Sequence, residues 1–338
     1  MGKGGGRLVL KYANGIFIVT LATIASYLIQ GIDIVKKMNF SSLIIAILIG
    51  ALIKNTIGLK ENMIDGIKFC SKKILRLAVI MLGFKLSLTE VSKIGLKAVI
   101  LIIVVSTLTL LFTQYMGKKM KIPYKLSTLI GTGTSICGAS AVAAANSIIK
   151  SEEEDVAFAI GSITLFGTIF MFFYPVLYRI LNMDVSFYSM WAGSSIHEVA
   201  QVVAAGFAIS PDSGTTATLV KLTRVLFIIP VTIYLSFSEI GNSKGKSFDL
   251  KKISIPWFVI MFLAVVIINS IFIIPKEISQ SLITIDGYLM TSAMAALGLD
   301  LSFSNLKRVG VKPLYLGLMS SIFISLLSAV IVKLIVIA

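Results

Sequence analysis

Eleven apolar runs follow one another along this chain, separated by short polar stretches. They cover residues 15–32, 41–53, 74–86, 98–116, 126–149, 156–180, 187–208, 215–237, 255–274, 281–301 and 313–336. A bilayer core needs roughly 17–25 such residues to be crossed by a helix. Backbone polar groups in lipid must be satisfied within the segment, so the runs read as helices. The expected fold is an all-α integral membrane protein of about ten or eleven spans. No long polar segment divides it, so residues 1–338 read as one polytopic domain. Hydrophobic residues make up 57% and charged residues 14% of the chain. Soluble domains carry about a quarter charged residues, so lipid is the expected solvent for much of the surface. The start, Met1–Gly6, shows no cleavable signal-peptide pattern.

The net charge of +15 raises the question of nucleic acid. The positions of the basic residues answer it. With the N-terminus cytoplasmic, the tail and even-numbered loops hold twenty: Lys3, Arg7, Lys11, Lys54, Lys60, Lys68, Lys72, Lys73, Lys118, Lys119, Lys121, Lys125, Arg179, Lys244, Lys246, Lys251, Lys252, Lys307, Arg308 and Lys312. The odd-numbered loops hold six: Lys36, Lys37, Lys93, Lys97, Lys150 and Lys276. Basic loops stay cytoplasmic, which accounts for the charge and places the C-terminus outside. Cys70 and Cys137 give no disulfide framework and no metal spacing. No metal or cofactor is expected.

Two internal echoes follow. Residues 82–97, opening Leu-Gly-Phe-Lys-Leu-Ser, match residues 297–312, opening Leu-Gly-Leu-Asp-Leu-Ser, in six of sixteen positions. They fall on antiparallel spans, as in the inverted repeats common among transporters. Lys85 and Asp300 occupy equivalent places, which suggests an ion pair across a pseudo-symmetry axis. The second echo sets Gly133-Thr134-Ser135-Ile136-Cys137 against Gly193-Ser194-Ser195-Ile196-His197, 60 positions on.

The second echo carries the candidate chemistry. Residues 131–146, GTGTSICGASAVAAAN, are dominated by small and hydroxyl side chains that weaken a helix. A broken helix there would turn N–H groups into a cavity, a ready anion site. A tightly packed helix interface is the competing reading. In the partner segment WAGSSIHEVAQVVAAG, His197 is the chain's single histidine. It lies beside Glu198 and on one expected helix face with Gln201. Ionisable groups inside a membrane are costly and point to function. The pattern His-Glu-x-x-Gln lacks the second histidine a zinc protease needs. A hydrolase built on Ser135 or Ser195 has no orienting constellation. Arg76, Lys85 and Lys221 are each read as snorkelling to a membrane face. Arg224, Asp286 and Asp300 also lie in apolar runs.

GTSICGASAVAAA, EDVAFAIGSITLFGT, WAGSSIHEVAQVVAAG and LGLDLSF together resemble the YeiH-type family of proposed sulfate exporters. That family is grouped with the bile acid, arsenite and riboflavin transporters. The resemblance implies panel and core domains, two crossing broken helices, elevator-like alternating access and a homodimer. The combined reading is a plasma-membrane secondary transporter, not an enzyme, for a small anion such as an oxidised sulfur compound. An anion channel is the main rival. Gly133, Thr134, Ser135, Cys137 and Gly138 would line one half of the site. Gly193, Ser194, Ser195, His197 and Glu198 would line the other. His197 or Glu198 would carry a coupled proton, with Asp286 and Asp300 next in line.

The charge bias makes a direct prediction. In a background lacking Cys70 and Cys137, single cysteines placed in 93–97 and in 118–125 label from opposite sides of the membrane. Labelling from one side would refute the span order.

Overall fold

A computed structural model of the chain describes residues 4–33, 35, 42–85, 88–241, 257–272, 275–301 and 311–337. The described residues form helices and connecting turns, and six helices are long and apolar enough to cross a membrane. The chain divides into two compact units. The first comprises Met1–Glu90 and Phe258–Ser304, and the second Val91–Trp257 and Asn305–Ala338.

In the first unit, α1 (Gly4–Gln30) and α2 (Ser42–Thr56) lead into α3 (Glu61–Phe69). A π-helical turn (Cys70–Ile74), α4 (Leu75–Met81) and a 3-10 turn (Leu82–Lys85) continue it. The unit is completed by α13 (Trp257–Ile271) and α14 (Lys276–Asp300). The offset of the first echo recurs in these bounds. Both ends of α2 lie 215 positions before those of α13, and the run Glu61–Lys85 lies 215 positions before α14.

Packing repeats the relation reciprocally. A Cβ added to Gly83 would lie 3.0 Å from the Phe262 carbonyl oxygen and 3.0 Å from Val265 Cγ1. A Cβ added to Gly298 would meet the Ile47 carbonyl and lie 3.0 Å from Ala51 N. Phe262 and Ile47 are themselves 215 apart. Each copy's glycine therefore packs on the other copy's short apolar helix, close enough for dispersion contacts along the backbone. Tyr27 Oη and Thr291 Oγ1 hydrogen-bond at 3.1 Å, joining α1 to α14. Residues 86–87 and 302–310 of the first echo, and the Lys85 side chain proposed to pair with Asp300, lie outside the described residues.

In the second unit, α5 (Leu88–Lys119) arrives from the first. Then come α6 (Tyr124–Ser135), α7 (Ala139–Ile149), α8 (Glu153–Ile180), α9 (Val185–Ser195) and α10 (Val199–Phe207). α11 (Pro211–Leu226), α12 (Ile228–Gly241) and α15 (Val311–Ile337) follow. The starts are local chemistry. The Asp184 carboxylate accepts from Ser186 N and Phe187 N to cap α9, and Ser210 with Pro211 starts α11. α15 packs on α6, α8 and α9, while α11 packs on α9 and α10. Thr113 donates to Ser320 at 2.8 Å, tying α5 to α15.

The glycine contacts give a graded expectation. Gly298→Ala forces a methyl into backbone and costs about 1–3 kcal/mol. Gly83→Ala costs less, because a side chain shares the contact. Gly287→Ala, with nothing within 4 Å, is neutral or stabilising. Thermal unfolding of the three variants in detergent checks the order.

Candidate functional site

The second echo marks two helix breaks. α6 ends at Ser135 and α9 at Ser195; the chain restarts as a helix at Ala139 and at Val199. The intervening residues 136–138 and 196–198 leave helical geometry. Ile136 has φ −121° and ψ −89°, and Gly138 has φ 76°, a left-handed value that favours glycine. Ile196 and Glu198 are extended.

Each break leaves carbonyls at the end of one helix and N–H groups at the start of the next. The carbonyl ends are met by two cations from one face of α11. Lys221 Nζ donates to Ile136 O at 2.8 Å, to Ile196 O at 2.8 Å and to His197 O. Arg224 donates from Nε to Ser135 O at 2.8 Å and from one terminal nitrogen to Ser194 O at 2.7 Å and Ile196 O at 3.1 Å. Its other terminal nitrogen donates to Thr134 O. Both side chains are fully buried. Helix C-termini are the negative ends of the dipole, so the cations stabilise both ends and bind the two breaks together.

The amino ends converge as well. Gly138 is the N-cap of α7 and Glu198 that of α10. A Cβ at Gly138 would lie 2.5 Å from Glu198 Cγ, so the two caps are in contact. Glu198 and Gln201 form a capping box: the carboxylate accepts from Gln201 N, and Gln201 Oε1 accepts from Glu198 N at 3.0 Å. Thr164 of α8 also donates to Glu198 Oε1, at 3.2 Å. Glu198 is half-buried, and Ser140 in the first turn of α7 is exposed. Cys137 Sγ and Ser140 Oγ hydrogen-bond at 2.9 Å.

His197 turns elsewhere. Its ring is fully buried, with Nε2 2.9 Å from Ser321 Oγ of α15. Nδ1 has no partner among the described residues. His197 and Gln201 do not share a helix face, because the helix begins only at Val199. The fully buried Ser194 and Ser195 serve the frame. Ser194 Oγ bonds Ser328, and Ser195 Oγ bonds Tyr174 Oη at 2.9 Å, where Tyr174 stacks on Trp191. Gly133 packs on Val142 and Ile163, and Gly193 on Val220. Asp286 and Asp300 belong to α14 of the first unit, whereas both breaks belong to the second.

A family model described as conserved hypothetical protein 698 matches residues 14–317. The chain belongs to the conserved hypothetical protein 698 family. It is 38% identical over 292 residues to the UPF0324 inner membrane protein YeiH of Escherichia coli strain K12, covering 85% of this chain and 84% of that one. It is 37% identical over 319 residues to the UPF0324 membrane protein NMA0465 of Neisseria meningitidis, covering 93% and 94%. The UPF0324 membrane protein of Bacteroides thetaiotaomicron is 34% identical over 313 residues, covering 90% and 93%. Among solved structures, the sodium proton antiporter MjNhaP1 of Methanocaldococcus jannaschii aligns over 95% of this chain at TM-score 0.32 and 13% identity. That likeness is too distant to carry fold or function. With its relatives named as membrane proteins and its own apolar helices, this member of the conserved hypothetical protein 698 family is a multi-pass membrane protein.

The sequence alone passed over Lys221 and Arg224. Read singly, Lys221 looked like a snorkelling residue, but the fold buries it completely. The available signal was the spacing: two cations three apart share a helix face, with Thr218, Leu219, Val220, Leu222 and Val225 around them. The Glu-x-x-Gln capping box was equally legible.

In this family member, Gly138→Ala would add backbone strain of about 1–2 kcal/mol and a clash with Glu198. Adding Glu198→Ala should recover the clash and leave the strain. Unfolding of both single variants and the double variant measures that coupling; simple additivity would show that the caps do not touch.

Proposed function

We propose that this protein is a secondary transporter for a small anion, and that the anion binds where the amino ends of α7 and α10 meet at Glu198. The observation that carries this reading is the sorting of charge at the breaks. Lys221 and Arg224 already hold the carbonyl ends, while the amino ends face a single half-buried carboxylate. The helix termini, worth roughly half a charge each, cancel in pairs. Two cations and one carboxylate then leave about one positive charge. Protonating Glu198 raises this to about two, a match for a dianion such as sulfate.

Glu198 is in this reading a tethered anion that the substrate replaces. Protonation neutralises it, Thr164 and the Gln201 N–H release it, and the arriving anion takes over the amino ends. Anion and proton bind together, so affinity rises as pH falls through the range where Glu198 titrates. One linked proton gives at most about a tenfold change per pH unit. The groups around Glu198 are Thr164 of α8, Gly138 of α7, Gln201 of α10 and, within electrostatic reach, Lys221 of α11. His197 is not needed as the carrier, since its Nε2 faces Ser321.

Both breaks and their clamp lie in one compact unit, the kind of block that an elevator carrier moves. The reciprocal glycine contacts of the first unit support the inverted repeat that the sequence suggests. The basic loops favour a cytoplasmic N-terminus in the plasma membrane. A carrier is preferred to a channel because the residues at the breaks, apart from the amino-end caps, are buried.

Radiolabelled sulfate and sulfite in liposomes containing the purified protein test this. Wild type should show saturable flux that rises with a proton gradient running with the anion. Glu198→Gln should retain anion exchange yet lose its dependence on pH and on the gradient. A Glu198→Gln variant with wild-type pH dependence would remove Glu198 from coupling.

A further inference from the structure

Six main-chain carbonyl oxygens converge from the two breaks: those of Thr134, Ser135 and Ile136, and of Ser194, Ile196 and His197. Three of them, from Ile136, Ile196 and His197, meet at one buried ammonium group, and main-chain carbonyl oxygens are ligands that a hard metal cation takes. Here that place is filled from within the chain. Lys221 occupies three of the oxygens and Arg224 the remaining three, sharing the Ile196 oxygen with Lys221. Every hydrogen bond described for the two cations goes to a main-chain carbonyl.

We propose that Lys221 is a built-in cation that stands where an exchangeable sodium or potassium ion would otherwise join the two breaks, while Arg224 bridges carbonyls that no single ion reaches together. The inference concerns the carbonyl side of the breaks and does not depend on Glu198 or on the identity of the anion. An ion that binds from solution makes assembly of the two breaks conditional on its concentration. An ammonium group tethered to α11 is always present, so the two breaks stay joined in any salt. The geometry also separates the two cations. Lys221 presents a compact charge to three oxygens, close to what a spherical ion does. Arg224 presents a planar fork that spans residues 134 to 196, which no monatomic ion reproduces.

The difference gives the test. Purified full-length protein is unfolded thermally in sodium chloride, potassium chloride or choline chloride at equal ionic strength. Choline is too large for the carbonyl cluster. Wild type and Lys221→Arg should unfold at the same temperature in all three salts. Lys221→Ala should unfold early in choline. In sodium or potassium it should recover with rising concentration, by roughly 5 °C at saturation. Arg224→Ala should show no recovery with either ion. Wild type that unfolds earlier in choline than in sodium overturns the proposal. So does Lys221→Ala that unfolds alike in all three salts, or that is unfolded in every salt while Lys221→Arg folds, since either result marks an ordinary cap. The readout is unfolding and not flux, so it stands apart from the test of anion transport.

Discussion

The second unit rests on the bonds between two cations of α11 and the carbonyl ends of α6 and α9. Breaking a helix within a membrane protein frees polar groups that lipid cannot satisfy, at several kcal/mol each. Burying a lysine or an arginine is costly for the same reason. The two penalties offset each other here. The carbonyls give the cations the partners they lost on leaving water, and the cations give the carbonyls the donors they lost when the helices ended. Removing either set strands the other. Because Lys221 and Arg224 each reach both breaks, the two segments cannot drift apart without losing both sets of bonds.

This arrangement also explains the polarity of the site. With the carbonyl ends closed, the amino ends of α7 and α10 remain, and the Glu198 carboxylate caps α10 within contact of Gly138. Glu198 thus serves two roles, as a cap that starts α10 and as the group nearest Gly138. The Gly138 left-handed turn and its missing side chain are what allow the caps to touch.

Much of this was readable before the fold. Apolar run length gave the helical segments, and the glycine, threonine and serine runs at 131–138 marked a break. The offset of 60 tied that break to 193–198. The offset of 215 was noted only for 82–97 against 297–312; that it extends to the bounds of α2 and α13 emerged from the structure. What the sequence did not yield was direction. Consecutive residues of an extended segment point apart, so His197 and Glu198 meet different partners, although a helical reading grouped His197 with Gln201. Nor could a residue-by-residue reading see that Lys221 turns inward, because snorkelling and burial depend on what stands at the same depth on other helices.

The exchanged glycine contacts of the first unit bear on how the chain is made. Gly50 on α2 lies against Ala295 and Leu299 of α14, and Gly83 lies against α13. Neither copy of the motif carries its own packing partner. As synthesis proceeds from the N-terminus, α2 and the run from Glu61 to Lys85 are in place long before α13 and α14 exist. Gly66 meets α1 at once, but the partners of Gly50 and Gly83 are made only after the second unit up to α12. The part of the protein begun first is therefore among the last to be finished.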